Sequence, residues 1–309
     1  MSDTPPTVSA LAGAMLVAIT VTYNSGDVLR DFLDCCVRQA GDWRLIVVDN
    51  ASTDNTRSIL ADYHDPRVTT ILNTDNVGFA AGCNQGIRIA MEGGARQVLL
   101  VNNDTVFDDG VFVALSARLI ASRADAVSPV IAVHPDGQSI WYAGGRIDWS
   151  RGARNLHDHF NEPVASIGPD DFSTTFCPAC FMLFDIDVFR RVGLMTEDYF
   201  VYWEDVDYCE RMNLAGARML VTPSITVLHK VSATTGAMSD FTLKHLYRNR
   251  MLFARRFGSG AMAAYTFAMI FAAIGGRFLF KGDPMSKARL RVRAVMAGLR
   301  MPVTPGKVR

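Results

Sequence analysis

Four short stretches collect the side chains able to do chemistry. "VNNDT" (101 to 105) stops the apolar run "QVLL" with Asn102, Asn103 and Asp104. An acid at a strand end often marks metal-assisted phosphate chemistry, yet one Asp is a poor cage for a cation. "VVDNASTD" (47 to 54) ends a second apolar run at Asp49, followed by Asn50, Ser52 and Asp54. A carboxylate there can accept the imide N–H of a uracil or thymine ring, while Ser52 and Asp54 can cap the next helix. "YWEDVDYCER" (202 to 211) supplies Glu204, Asp205 and Asp207. On a helix Asp207 faces Arg211 at i,i+4 as a surface ion pair, and Glu204 and Asp205 sit where the helix dipole favours acids. The aromatic lead-in "YFVYW" sets a partly buried floor under them, on which a desolvated carboxylate can act as a general base.

The fourth stretch, "NVGFAAGCNQG" (76 to 86), puts Gly78, Gly82 and Gly86 on one helix face with Asn84 beside it. Such a face admits either a ligand or a close-packed neighbouring strand, and both readings stay open. It is not the G-x-G-x-x-G fingerprint and it follows a loop rather than the first strand, which counts against a dehydrogenase. His229 closes "ITVLH" and precedes "KVSATTG", a small-residue loop that reads as mobile; a lone His is more often structural than a ligand. "CPAC" (177 to 180) has redox or zinc spacing, but no second pair exists and a strand-like run follows, so redox chemistry is disfavoured. "HDH" (157 to 159) falls in a polar stretch and reads as solvated.

These residues need a scaffold that gathers strand ends. Strand-like runs at 15 to 23, 44 to 50, 67 to 72 and 96 to 102 alternate with helix-like stretches near 27 to 40, 54 to 63, 79 to 92 and 109 to 122. Continuous apolar strands alternating with helices predict a parallel α/β sheet, whose ligands collect at the carboxyl ends of the strands. After about residue 130 the alternation lapses. "WYAGGRIDW" reads as a hairpin and 150 to 172 as a variable polar loop, then two short helices stop at Gly193 and Gly216. "ARMLVTPSITVLH" reads as two strands broken by Pro223.

The chain has 309 residues, about half of them apolar, and 31 basic residues against 31 acidic. That balance gives no signature for nucleic acid, although it hides an uneven distribution. From Arg277 to Arg309 nine Lys or Arg face the single Asp283, leaving the rest net acidic by about eight charges. Phe257 to Gly276 is a 20-residue stretch without charge, behind an amphipathic segment "FTLKHLYRNRMLFARRFG". It is long enough to span a bilayer, equally suited to lie in the interface beside anionic lipid, and alternatively a core helix with a solvated basic tail. The six cysteines lack the density of a disulfide scaffold and read as reduced thiols, and no export signal is read at the N-terminus.

Taken in order, "TYN", "VVDNASTD", "NVGFAAGCNQG", "LLVNNDT", "WYAGG", "YWEDVD", "LHKVSATTG" and "YRNRMLF" resemble bacterial family 2 glycosyltransferases of the GT-A fold, most of all the rhamnosyltransferase-like branch. The resemblance covers about 16 to 256. It implies a GT-A, Rossmann-like mixed sheet flanked by helices at 15–240, divided into a nucleotide-sugar-binding half (15–130) and an acceptor-binding half (131–240). A loose N-terminus (1–14) would precede it, and a helical, apolar, basic and membrane-associating region (241–309) would follow.

The activity implied is inverting transfer of a sugar, L-rhamnose from dTDP-rhamnose, onto a lipid-linked or growing surface glycan. A Mg²⁺ or Mn²⁺ ion would assist at the cytoplasmic face of the membrane. The matched motifs assign Asp205 as base, with Glu204 on donor or acceptor sugar, and Asp104 and His229 to the metal. Thr22, Tyr23, Asn24, Asp49, Asn50, Ser52, Asn76, Gly78, Phe79, Asn84, Asn102 and Asn103 fall to the nucleotide-sugar, with Thr22 and Asp49 at the base. Trp203 and Cys180 fall to the acceptor.

Three features depart from the family, the mildest being "DYF" (198 to 200) before the Glu-Asp motif. Asn102 replaces the first D-x-D acid and can bond a ribose without adding charge, and "CPAC" stands where Gly-Ala is frequent. Another donor such as a UDP-sugar remains an alternative. A nucleotidyltransferase would need a glycine- and lysine-rich loop that "TYNSGDVLR" lacks, and a non-catalytic binder fits poorly with intact Asp104, Asp205 and His229.

Overall fold

The computed structural model describes residues 13–230 and 239–303. Its first part follows the alternating pattern: β1 (Leu16–Thr22), α1 (Leu29–Val37), β2 (Trp43–Asp49), α2 (Thr56–Asp62), β3 (Val68–Leu72), α3 (Phe79–Glu92), β4 (Gln97–Val101), β5 (Thr105–Val106), α4 (Val111–Ser122) and β6 (Ala126–Val133). Strands β1, β2 and β4 run parallel and side by side. Every residue of β4 is buried, as helices on both faces require, while the edge strand β3 carries two threonines and is only half buried.

The second part adds β7 (Ile140–Tyr142), β8 (Gly145–Asp148), β9 (Arg154–His157), β10 (Phe172–Thr174), β11 (Phe181–Asp185), α5 (Asp187–Val192), α6 (Glu204–Leu214) and β12 (Met219–His229). One mixed sheet results, in the order β10-β12-β6-β11-β4-β1-β2-β3, with β5 on β12 and β7 on β6. Strand β11 runs antiparallel to β4, so the chain direction reverses in the middle of the sheet. Three helices close the chain: α7 (Asp240–Phe257), α8 (Gly260–Phe280) and α9 (Met285–Arg300).

Several expectations need correction. The alternation lapses after about residue 130 as expected, but one further strand precedes the lapse. Strand β6 lies buried between β12 and β11, its Ser128 hydroxyl satisfied by the Phe181 carbonyl at 3.0 Å. Pro223 does not split the next segment, because β12 is continuous and a register shift between Thr222 and Thr226 absorbs the missing N–H. The hairpin expected over 141–149 does not form: β7 pairs with β6 and β8 with β9, so the polar stretch from 150 contains a strand. Within it His157 is half-buried rather than solvated: Nδ1 lies 2.9 Å from the Trp141 carbonyl, and the ring packs on Trp141, Tyr142 and Phe176. The basic tail is not free but folds as α9 against α7, so closely that a Cβ at Gly298 would sit 2.2 Å from the Arg248 carbonyl oxygen. Arg291 is buried there and paired with Asp283.

Helix α8 is not a core helix. Its most apolar window has a mean hydropathy of 1.5, yet only 17% of it is buried, and Phe280 at its end is 84% exposed. The "KVSATTG" loop after Lys230 lies outside the described residues, as do residues 1–12 and the last basic positions, Lys307 and Arg309.

Candidate active site

A cleft of about 1270 Å³ opens at the carboxyl ends of β1, β2 and β4. The pairing of β5 with the end of β12 sets its centre. Thr105 stands opposite His229, and the Lys230 N–H donates to the Asp104 carbonyl at 2.8 Å, so residues 125 apart in sequence face each other. His229 Nε2 lies 3.2 Å from Asp104 Oδ1, with both side chains largely buried. Burial by itself would lower the imidazole pKa, but Cys180 and the Asp104 carboxylate beside it raise it to about 10. Trp141 packs edge-on against His229, with ring centroids 4.6 Å apart.

No group of three or more potential metal ligands occurs among the described residues. Asp104 Oδ1 meets only His229 Nε2, and Nδ1 of His229 has no partner. A carboxylate beside an imidazole is a fit donor set for a divalent cation once the cation displaces the imidazole's proton and ligand or water oxygens complete the shell.

The second element is the acid pair that opens α6. Asp205 is half-buried on the cleft, its oxygens receiving the N–H of Val206 at 2.8 Å and, more weakly, of Ala179 at 3.4 Å. Burial raises its pKa to about 6. Burial, then the neighbouring Asp205, raise Glu204 well above the carboxylate range, and its Oε2 is buried without a partner. Both carboxyls of the adjacent pair are thus held above the ordinary range, which suits one to keep a proton and the other to serve as base.

The turn before this pair is strained. Phe200, Tyr202 and Trp203 all have positive φ, a conformation costing bulky residues roughly 1–3 kcal/mol each. Asn249 of α7, fully buried, offsets part of that cost by donating to the carbonyls of Tyr199, Val201 and Tyr202 at 3.0, 2.8 and 2.7 Å. The Phe79 N–H donates to the Phe200 carbonyl at 2.6 Å, and Gly78 has no room for a Cβ, which would lie 2.5 Å from that same oxygen. Below, Asp207 does pair with Arg211, but not on the surface. It is completely buried, and its carboxylate also accepts from Thr196, Tyr199 and Arg256, because α7 covers that face of α6.

Along the other wall the polar groups are mutually satisfied. Asp49 is fully buried, accepting from Thr22 Oγ1 at 3.0 Å, the Ser52 N–H at 3.2 Å and Arg57 Nε at 2.7 Å. Asn50 donates to the Gly78 carbonyl and accepts from Asn73. Asn103 donates to Val21 and Ser25. Asp54 accepts the Thr56 N–H at 3.0 Å but is not the N-cap of α2, which is Asn55 without a side-chain cap bond, and the Ser52 hydroxyl accepts from the Asn24 N–H.

Of the residues expected at a site, Thr22, Tyr23, Asn50, Asn76, Gly78, Phe79, Asn102, Asn103, Asp104, Cys180, Trp203, Glu204, Asp205 and His229 line this one cleft. Asn24, Asp49, Ser52 and Asn84 do not. The first three latch the loop behind the wall. Asn84 faces away and ties α3 to the Met195 backbone and Glu197. Gly82 and Gly86 admit Val21 and Ile19 of β1, where a Cβ would approach within 2.9 and 2.7 Å, so on those two the glycine face serves packing. Trp141, Arg154 and Arg250 also line the cleft with no role assigned from sequence, as does His157, which was read as solvated. Asn249, which holds the strained turn from behind, was visible only as part of "YRNRMLF".

A mixed sheet that reverses at its centre, with a polar cleft at the strand ends, defines a GT-A-like nucleotide-binding transferase architecture. A profile described as "Glycosyl transferase family 2" matches residues 17–193, and the chain belongs to that family. It is 26% identical over 249 residues to N-acetylglucosaminyl-diphospho-decaprenol L-rhamnosyltransferase of Mycobacterium tuberculosis, covering 72% of this chain and 78% of that one. It is 25% identical over 187 residues to dTDP-rhamnosyl transferase RfbF of Shigella flexneri, covering 60% of each. Among solved structures, GalNAc-T7 with UDP, GalNAc and Mn²⁺ superposes with a TM-score of 0.64 at 14% identity, over 91% of this chain and 54% of that one. The mannosyltransferase PcManGT of Pyrobaculum calidifontis with GDP-Man and Mn²⁺ gives 0.57 at 17% identity, over 93% and 81%. The fold is therefore the mixed α/β sheet of that group, and the chain is a glycosyltransferase.

Proposed function

We propose that this enzyme is an inverting, divalent-metal-dependent transferase that moves L-rhamnose from dTDP-L-rhamnose onto a lipid-linked or growing surface glycan. One observation carries the transferase reading: Asp104, His229 and Asp205, remote in sequence, line a single cleft at the strand ends. The rhamnose assignment rests on likeness to the two rhamnosyltransferases. A site at the cytoplasmic membrane face is supported by the exposed apolar α8 and the basic helix behind it.

Asp205, ionised above about pH 6, accepts the proton of the acceptor hydroxyl. The hydroxyl oxygen forms its bond to the anomeric carbon on the face opposite the departing nucleoside diphosphate, and that carbon's configuration inverts. Glu204, keeping its proton, donates a hydrogen bond to a sugar oxygen. Tyr23, 45% exposed on the cleft wall, offers a face to the nucleobase, with Thr22 beside it and Asn102 free for the ribose. Mg²⁺ or Mn²⁺ held by Asp104 and His229 would neutralise charge growing on the leaving diphosphate. Trp203 and Cys180 line the acceptor side.

The test is thermal unfolding with a panel of nucleotide sugars, with and without Mg²⁺ or Mn²⁺, since a true donor stabilises the fold by mass action. Metal-dependent protection by dTDP-rhamnose is the expected result. Protection by UDP-sugars alone removes the rhamnose assignment and leaves the transferase. No protection by any nucleotide sugar removes both.

A further inference from the structure

Strand β9 meets the cleft with two polar groups that the transfer reaction, as proposed, does not use. Asn155 and His157 both line it while Leu156 between them does not, as the alternation of a strand requires. Oδ1 of Asn155 is buried and has no hydrogen-bond partner. The terminal torsion of an asparagine is broad, so a small rotation turns that oxygen to the cleft.

His157 is fixed both in orientation and in tautomer. Trp141, Tyr142 and Phe176 clamp its ring at centroid distances of 4.9, 5.6 and 5.7 Å. Its Nδ1 lies 2.9 Å from the Trp141 carbonyl, which can only accept, so Nδ1 carries the proton. Burial pushes the imidazole pKa below its ordinary value, against the pull of that carbonyl, and the ring is neutral at pH 7. Nε2 is therefore a lone pair, on a ring whose hydrogen bond is made at Nδ1.

Two acceptors on one strand face, about 6.8 Å apart at 3.4 Å per residue, suit a ligand that brings hydrogens to both. A sugar ring carries hydroxyls over such a span. The half-buried indole of Trp141 also lines the cleft and adds an apolar face for the C–H side of the ring. Position gives this ring to the acceptor. The β8–β9 hairpin follows β7, which pairs with β6, and in the sheet β11 and β4 separate β6 from the β1 and β2 ends where the nucleobase is placed. Trp141 packs against His157 and against His229 alike, so β9 stands one indole away from the proposed metal pair.

We propose that Asn155 and His157 form the subsite for the acceptor's sugar ring, each accepting a hydrogen bond from one of its hydroxyls, and that they thereby select which hydroxyl is turned to Asp205. This rests on the transferase reading above and deepens it. It concerns the ring alone, whatever group carries it.

The experiment gives the whole enzyme a nucleotide sugar that protects its fold, with octyl glycosides of glucose, galactose, mannose and rhamnose and their 2-acetamido analogues as acceptors. The best of these is then compared with its monodeoxy and monodeoxyfluoro forms. Fluorine cannot donate a hydrogen bond, so at two ring positions both replacements should raise the acceptor KM about tenfold, as loss of one hydrogen bond does. Asn155→Ala, which costs the fold no partner of Oδ1, should raise the KM of the parent glycoside as much and be indifferent to one of the two replacements. Such non-additivity marks direct partners. His157→Phe should behave likewise at the other position, and His157→Gln, whose side-chain oxygen can stand in for Nε2, should lose less. The donor KM and the thermal protection by the nucleotide sugar should not move. A fluoro form that keeps what its deoxy counterpart loses overturns the proposal, since the protein would then be the hydrogen-bond donor. Additive losses overturn it too, as does a raised donor KM in Asn155→Ala or His157→Phe, which would give β9 to the donor. So does failure of wild type to use any octyl glycoside while the nucleotide sugar still protects the fold, and that outcome leaves the transferase intact. Protection by no nucleotide sugar overturns both readings.

Discussion

The two walls of the cleft are built on opposite principles. The wall from β1, β2 and α3 is assembled from segments close in sequence, and its polar groups answer one another: Thr22 with Asp49, Asn50 with Gly78 and Asn73. The opposite wall joins the 176–180 turn, the start of α6, the end of β12 and α7. It carries the strained backbone at Phe200, Tyr202 and Trp203 and the unpartnered buried atoms Glu204 Oε2 and His229 Nδ1. The first wall is finished without a ligand; the second leaves lone pairs and protons for one to use. Strain and unsatisfied groups collect where binding energy can be returned.

That contrast can be broken by substitution. Asp205→Asn, on the unfinished wall, should lower kcat by roughly a thousandfold while nucleotide protection against unfolding persists. Unchanged turnover would remove Asp205 as the base. Asp104→Ala should cost on the order of a hundredfold and abolish the metal dependence of nucleotide binding, as titration calorimetry with and without Mn²⁺ would report. Asn249→Ala leaves the Val201 and Tyr202 carbonyls of the strained turn without their donor, while that of Tyr199 keeps Arg248. It should reduce kcat about tenfold or more and the melting temperature by a few degrees, with little change in donor KM; a donor KM effect of equal size would mean the turn serves the first wall.

The pH profile sharpens the same comparison. Burial holds the Asp205 pKa up at about 6, so protonation on acidification removes the base. Log kcat/KM should be flat above that value and fall with unit slope below it, roughly tenfold per unit. A profile breaking near pH 4 would indicate a solvated carboxylate instead. The smallest effect on catalysis belongs to Asn84→Ala behind the first wall, which should lower stability by about 1–2 kcal/mol and leave the donor KM unchanged. A raised donor KM would return Asn84 to the nucleotide site.

The legibility of the chain divides along the same line. Helix α3 was expected at 79 to 92 and forms over Phe79–Glu92, and β1, β2 and β4 begin and end within two residues of their apolar runs, because burial on both faces writes an unbroken pattern. Strand β6 was missed because Ser128 and Pro129 interrupt its run. Only the neighbouring Phe181 carbonyl and the β12 register shift make that interruption tolerable. The ion pair of Asp207 was legible as an i,i+4 spacing, but its burial was not, since Arg256 reaches it from α7. Arg154 and Arg250 carry no local signal, because an arginine's partner, or lack of one, is a property of the folded neighbourhood.

By itself, the order of strands, helices and strand-end polar residues determined the alternating half of the sheet, the family and most of the residues that face the cleft, since each is a local or periodic feature of the chain. Tertiary structure decided which of those residues meet. The two-residue strand β5 brings Asp104 to His229, the β4–β11 pairing sets Cys180 beside Asn102, and Asn249 holds the turn under Glu204 and Asp205. Each of these depends on pairing register or burial across more than 45 residues of chain, which no local pattern of side chains encodes.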